Sequence, residues 1–363
     1  MCRKIFIAAT GQHTGKTTIS LSLVHLARQK YRRVGFIKPI GPKCLTFNGI
    51  VVDKDAALLA RIYGLEADIA LMSPLVLNRG STKEFLDGRR SREEAEERIV
   101  TACRKLEEKC DFLVIEGSGH GGVGSVIGLN NARVASLLDA PAVMVAGGGI
   151  GSVIDSVELN LPLYLHEGVD LRLLLINKLL PEKRIETLGY LQRAFAPRGL
   201  GVAGAFDYSP ILANPTLAHI SRVLDQPLQG DQSQRNRIVH HIQLGAASSQ
   251  KVIDGLLPST LLVTTSSRDE LIVTVSSLYH IPAFREKIAG LVIPGQAPVS
   301  EITGQILRES GVPFIRIPVR TADAFSAITD HVSKISAEDT EKIDLIKGSA
   351  ETVLADVAAR HIL

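Results

Sequence analysis

The feature that most constrains this chain is a short glycine-bearing stretch directly behind an apolar run: Gly11-Gln12-His13-Thr14-Gly15-Lys16-Thr17-Thr18. A strand that ends in such a turn and passes at once into a helix leaves backbone N–H groups unpaired and aimed outward. The helix dipole there also favours an anion, so the arrangement suits phosphate. Lys16 is placed to bridge terminal phosphates, and the Thr17 hydroxyl to complete a Mg²⁺ shell that keeps several waters. The stretch departs from the usual G-x-x-x-x-G-K-[ST] pattern, because Thr10 stands where the first glycine belongs. The competing reading is a plain helix start with a threonine near its cap. A strand pattern in front and a helical pattern behind favour nucleotide binding, with Gly11, Thr14, Gly15, Lys16, Thr17 and Thr18 as the binding residues.

The rest of the chain supplies the fold that such a loop needs. Strand-like runs at residues 5–9, 34–37, 112–115, 142–146 and 171–176 alternate with helical patterns, among them residues 19–29 and 91–109. Strands separated by helices imply right-handed crossovers and a doubly wound, mostly parallel sheet. With no Trp and only 4% aromatic residues, the cores are expected to be built from Val, Ile, Leu and Ala, the usual filling of parallel sheets. The pattern changes after Tyr208-Ser209-Pro210. A second α/β pattern follows, with strands expected at residues 261–265, 290–293 and 314–317 and helices at 269–279, 300–310 and 323–335. The expected organisation is α/β throughout: a P-loop domain over 1–210, a smaller α/β domain over 211–335 and a helical extension over 336–363.

A hydrophobic content of 45%, a charged content of 22% and a net charge of +3 describe a globular protein without a nucleic-acid footprint. The five-residue apolar run behind Met1-Cys2-Arg3-Lys4 is too short for a signal peptide, and no run is long enough to cross a bilayer. The four cysteines all precede residue 111 and lack metal spacing. Free thiols and a cytoplasmic location are expected, with neither nucleic acid nor membrane as partner.

Carboxylates at strand ends are the natural partners of a Mg²⁺ beside the loop. Glu116 follows the strand at 112–115 and opens Gly117-Ser118-Gly119-His120-Gly121-Gly122, where backbone could approach a ligand closely. Asp53 and Asp55 lie in Val52-Asp53-Lys54-Asp55-Ala56, although Asp55 could simply cap a helix. His13 and His120 could each touch phosphate or only shape a loop. The pair His240-His241 has no acid or cysteine nearby and reads as surface.

These residues together resemble the dethiobiotin synthetase-like branch of P-loop ATPases, which is related to the ATPase part of cobyrinic acid amide synthases. The resemblance runs in order through Ala9-Thr10-Gly11 to Thr18, Phe36-Ile37-Lys38-Pro39, Asp53-Lys54-Asp55-Ala56, Ile115-Glu116-Gly117-Ser118-Gly119 and Ile176-Asn177-Lys178. It implies ATP and Mg²⁺ as cofactors. Lys16 would hold the phosphates, and Thr17, Asp55 and Glu116 the metal. Lys38 would face an acceptor carboxylate, and Asn177 would contact the nucleotide base. Lys16, Lys38 and Glu116 would then carry any phosphoryl transfer, largely by positioning and charge neutralisation. The family's synthetase follows its Lys-Pro with small substrate-holding residues, whereas Gly41-Pro42-Lys43-Cys44 and Leu45-Thr46-Phe47 stand here, which puts the dethiobiotin reaction itself in doubt. Partition ATPases carry a second signature lysine at the position of Gly11, which argues against that branch.

The remainder resembles a DRTGG domain, on Leu262-Val263-Thr264-Thr265-Ser266-Ser267-Arg268-Asp269 and on Ala289-Gly290-Leu291-Val292-Ile293-Pro294-Gly295. Where a glycine pair is expected, Gly295-Gln296 stands. The pairing of the two domains is similar to the N-terminal, non-catalytic part of long bacterial phosphotransacetylases. Because the sequence ends at Leu363 and has no cysteine after Cys110, the chain is expected to be neither a phosphotransacetylase nor a glutamine amidotransferase. Two functions stay open: an ATPase or ATP-dependent ligase acting on a small carboxylate, and a non-catalytic sensor of nucleotide and metabolite. Relatives of the fold imply a homodimer and an additional small-molecule ligand.

Overall fold

The computed structural model describes residues 2–330 and 335–363. Two compact units emerge: the residues up to Tyr208 together with Ile343–Leu363, and Ser209–Lys342. The segment expected as a separate helical extension therefore divides. Its last part belongs to the first unit, where Glu351 takes hydrogen bonds from Gln29 and pairs with His25 at 2.7 Å.

The first unit is built on six parallel strands: β1 (Arg3–Ala9), β2 (Val34–Ile37), β3 (Phe112–Glu116), β4 (Ala142–Gly147), β5 (Leu171–Asn177) and β6 (Gly201–Gly204). Their order is β6-β5-β4-β1-β3-β2. Ile5, Phe6, Ile7, Ala8 and Ala9 of the central β1 are all buried, as a strand covered on both faces requires. Each strand ends within a residue or so of its expected place. β6 went unpredicted, since Gly-Val-Ala-Gly has neither alternation nor length to mark an edge strand.

Helices cover both faces. α1 (Lys16–Lys30) follows β1 through the glycine-bearing loop and closes with Arg28 and Lys30, which suit its negative end. α2 (Lys54–Tyr63) starts where the Asp53 side chain accepts from the Asp55 N–H and stops at left-handed Gly64. α3 (Arg92–Glu107) is capped by Ser91 and carries Glu93 and Glu94 at its start with Arg104 and Lys105 at its end. An antiparallel hairpin, Cys44–Phe47 with Ile50–Asp53, interrupts the α/β alternation before α2.

The second unit holds a separate sheet of four parallel strands in sequential order: β7 (His241–Leu244), β8 (Thr260–Val263), β9 (Ile288–Pro294) and β10 (Phe314–Ile317). Apolar clusters cover both faces, one around Leu262, Leu271, Val275 and Leu291, the other around Ile220, Leu261, Val292 and Ile315. The helix expected over 323–335 appears as Thr321–Thr329, and residues 331–334 of that expectation lie outside the described residues. No helix among the described residues is long and apolar enough to cross a membrane.

Candidate nucleotide and metal site

The sheet order places β1 between β4 and β3, so its C-terminal end opens at a topological switch point where open α/β sheets take ligands. Everything the sequence singled out in the first unit converges there. Parallel register pairs Ile7 with Glu116 and Ile37 with Ile115, so the ends of β1, β3 and β2 stand side by side. Glu116, Lys38 and the loop of Lys16 and Thr17 issue from them.

The phosphate loop is held from several directions. Gly15 has φ +97°, and a Cβ there would lie 2.1 Å from Asn177 Nδ2, so the position excludes any side chain. The Asn177 amide donates to the Thr14 carbonyl at 2.8 Å, while its Oδ1 accepts from Phe206 N–H at 3.3 Å. Asn177 thus braces the loop in this structure, and that bracing is a different task from the base contact its resemblance implied. Lys16 Nζ donates to the carbonyls of Gly11 at 3.1 Å and Gly119 at 2.6 Å, tying the loop to the stretch behind Glu116.

Two asparagines that the sequence reading missed set that second stretch. Asn131 takes the Ser118 N–H at 2.9 Å and donates to the Ser118 and His120 carbonyls. Asn160 takes the Gly121 N–H at 2.7 Å and donates to the Thr10 carbonyl at 3.2 Å, so one side chain spans both loops. Asn160 is buried in the helix Ile150–His166, which also carries Asp155, Ser156 and Glu158, so nothing in the sequence set it apart from its polar neighbours. His120 is exposed, its Nδ1 accepting from the Gly122 N–H, and His13 is an exposed loop residue with φ 60°. His240 and His241 are both exposed.

The charged centre is compact. Lys38 Nζ lies 2.6 Å from Glu116 Oε1 and 2.9 Å from Asp55 Oδ2, and Thr17 Oγ1 donates to Glu116 Oε1 at 3.3 Å. Lys38 is 3% exposed and Glu116 fully buried. Burial works against the Lys38 ammonium, but the charges of Asp55, Glu116 and Asp53 outweigh it and hold its pKa well above the ordinary lysine value. Glu116 Oε2 is buried without a hydrogen-bond partner. Thr17, Asp55 and Glu116 form a hard oxygen donor set of the kind Mg²⁺ prefers, and the unpartnered Oε2 is a further donor atom. No cluster of three or more His, Cys, Asp or Glu suited to a metal occurs among the described residues. A Mg²⁺ here would therefore rely on phosphate and water for the balance of its shell, as Mg²⁺ at nucleotide sites commonly does.

Asp53 is buried beside this group, and burial first, then the Asp55 charge, push its pKa up to about 6 from an ordinary 3.8. The folded state therefore binds this proton more tightly than the unfolded one. The associated penalty is full above pH 6, falls as pH drops through 6 and vanishes below 3.8. Asp53→Asn, which keeps the helix cap, should stabilise the metal-free protein at pH 7.5 by up to about 3 kcal/mol. That advantage should shrink to nothing near pH 4. Urea unfolding of parent and variant across this range checks the prediction, and a gain independent of pH would refute it.

Comparison with known proteins now places the chain. The model of the AAA domain matches residues 3–216, well over half of the sequence. The chain belongs to the AAA domain family. Residues 220–331 match the DRTGG domain, so a P-loop domain is fused to a DRTGG domain. Over 353 residues and 95% of its length the chain is 23% identical to a phosphate acetyltransferase of Nitratidesulfovibrio vulgaris, of which it covers 49%. Over 200 residues it is 26% identical to the ATP-dependent dethiobiotin synthetase BioD of Clostridium botulinum, covering 53% of this chain and 86% of that one. Among solved structures it is similar to the MinD cell division protein of Aquifex aeolicus, at 16% identity and a TM-score of 0.36, over 58% of this chain and 84% of that one. That likeness is too distant to inform function.

One expectation is overturned. The sequence reading set phosphotransacetylases aside because the chain ends at Leu363. Yet proteins named phosphate acetyltransferase match it along almost its whole length, and the chain spans about half the length of these curated relatives. The position of Leu363 cannot carry that exclusion.

Proposed function

We propose that this chain binds a Mg²⁺-nucleotide, ATP in the first instance, and serves in phosphate acetyltransferase-type proteins as the module through which nucleotide occupancy controls acetyl transfer to phosphate. The observation that carries the reading is the gathering of Lys16, Thr17, Lys38, Asp55 and Glu116 at the C-terminal ends of adjacent parallel strands. Lys16 and the loop N–H groups would take the phosphates. Thr17, Asp55 and Glu116 would hold Mg²⁺, which supplies charge neutralisation between the carboxylates and the nucleotide. The buried Asn131 and Asn160 keep both loops in register, so that phosphate meets a prearranged surface. Matches to phosphate acetyltransferases that run through both units, and not only the first, favour regulation over an independent synthetic reaction.

Thermal unfolding with ATP, with and without Mg²⁺, tests the proposal. Mg-ATP should raise the melting temperature more than ATP in EDTA, and Glu116→Gln should lose most of that difference while keeping the metal-free ATP shift. No ATP shift in the parent refutes the nucleotide reading. A Mg²⁺ increment undiminished in Glu116→Gln refutes the metal assignment.

A further inference from the structure

The position that suits a metal already holds a cation of the chain's own. Lys38 Nζ bridges the two carboxylates expected to take Mg²⁺, at 2.6 Å and 2.9 Å, and it does so inside the protein. Mg²⁺ bonds its oxygens at about 2.0–2.1 Å. A Mg²⁺ shared by Asp55 and Glu116 would therefore fall close to where the ammonium now sits, and the two cannot occupy the pair together. The main chain at Lys38 is fixed by its N–H to the Met72 carbonyl at 2.8 Å, but its four-carbon stem is flexible. The ammonium can leave without the strand moving.

We propose that Lys38 is a tethered counter-ion of the metal position, neutralising Asp55 and Glu116 in the nucleotide-free protein and displaced when Mg²⁺ arrives with nucleotide phosphates. The inference rests on the Mg²⁺-nucleotide reading above. Its consequence is an order of events. A divalent metal alone must evict an ammonium already paired to both carboxylates and so binds weakly. The same metal accompanied by phosphates brings its own negative charge, which gives the displaced ammonium an alternative partner. Lys38 thereby couples metal entry to nucleotide entry, and the released amine becomes available to an anionic ligand only in the loaded state. Retention of Glu116 Oε2 as a buried acceptor without a partner fits a site finished by the incoming metal.

Mn²⁺ serves as the probe, its binding followed by electron paramagnetic resonance on the full chain without nucleotide. Lys38→Met and Lys38→Gln remove the charge, and the glutamine amide still offers N–H donors to the carboxylates, so that a folded variant is in hand if the methionine destabilises too far. Either folded variant should bind Mn²⁺ at least tenfold more tightly than the parent, and Mn²⁺ should raise its melting temperature while leaving the parent's unchanged. Variants that bind Mn²⁺ no more tightly than the parent overturn the counter-ion role, even if the parent takes up Mn²⁺ avidly with ATP. A parent that fails to gain Mn²⁺ affinity when ATP is added overturns the Mg²⁺-nucleotide reading and the coupling with it.

Discussion

Lys38→Met is expected to cost the metal-free protein about 3–5 kcal/mol of stability, the usual penalty for removing one partner of a buried ion pair. The cause is the charge left behind. Without the ammonium, Asp55 and Glu116 face each other across a buried site with Thr17 as the remaining hydroxyl donor to Glu116 Oε1. One of them would have to take up a proton, or the site would have to admit water, to relieve the repulsion. Removing a carboxylate should therefore help. Glu116→Gln in the Lys38→Met background should recover a substantial part of the loss, although Glu116→Gln alone, which strands the ammonium on Asp55, destabilises the parent. Urea unfolding in EDTA of the four proteins closes the cycle. Strictly additive effects would show that Lys38 and Glu116 are not coupled, against the 2.6 Å contact.

The first unit was readable because its signals are local and mutually consistent. β1, the loop and α1 follow one another without interruption, and each strand carrying a site residue is a short apolar run closed by a polar side chain: Lys38 after β2, Glu116 at the end of β3, Asn177 at the end of β5. What the sequence could not supply was the pairing among those ends. Sheet order decides that Lys38 meets Glu116, because β2 and β3 are neighbours although 74 residues of chain lie between Ile37 and Phe112. The ion pair is a fact of topology, and a reading of Lys38 as an acceptor-facing residue has no access to it. Asn131 and Asn160 escaped for a related reason, since an amide that braces backbone carries no motif.

One omission was avoidable. The hairpin that ends at Asp53 turns through Asn48-Gly49, with φ of 48° and 80°, the pair of positive angles that a type I′ turn needs. Asn-Gly between apolar residues is the strongest short hairpin signal, and it stood between Phe47 and Ile50. Recognising it would have shown that Asp53 and Asp55 arrive by an antiparallel ribbon. Gly41 lies close against this ribbon in the structure, where a Cβ would come within 2.5 Å of the Asp53 Cβ. In the second unit β7 went unread because His241-Ile242-Gln243-Leu244 is an edge strand whose residues are exposed or half-buried.

Lys16→Ala is expected to abolish the stabilisation by Mg-ATP. For a ligand at a hundredfold excess over its dissociation constant that stabilisation is about 2.7 kcal/mol, and in a unit of roughly 200 residues it amounts to a shift of about 5–10 °C. The variant's own stability should change far less, because the hydrogen bonds from Lys16 Nζ to the neutral carbonyls of Gly11 and Gly119 are each worth less than the buried ion pairs of Lys38. This contrast separates the two lysines of the site. Lys38 belongs to a buried charge balance, and its loss is felt before any ligand arrives. Lys16 occupies a provisional position, its ammonium on two loop carbonyls that nucleotide phosphates would outbid as stronger, charged acceptors. Melting curves of parent and variant with and without Mg-ATP decide the matter. A full shift in Lys16→Ala would mean that nucleotide binds elsewhere, and an equally large loss of ligand-free stability in both lysine variants would mean that Lys16 is a structural element of the loop and not its phosphate ligand.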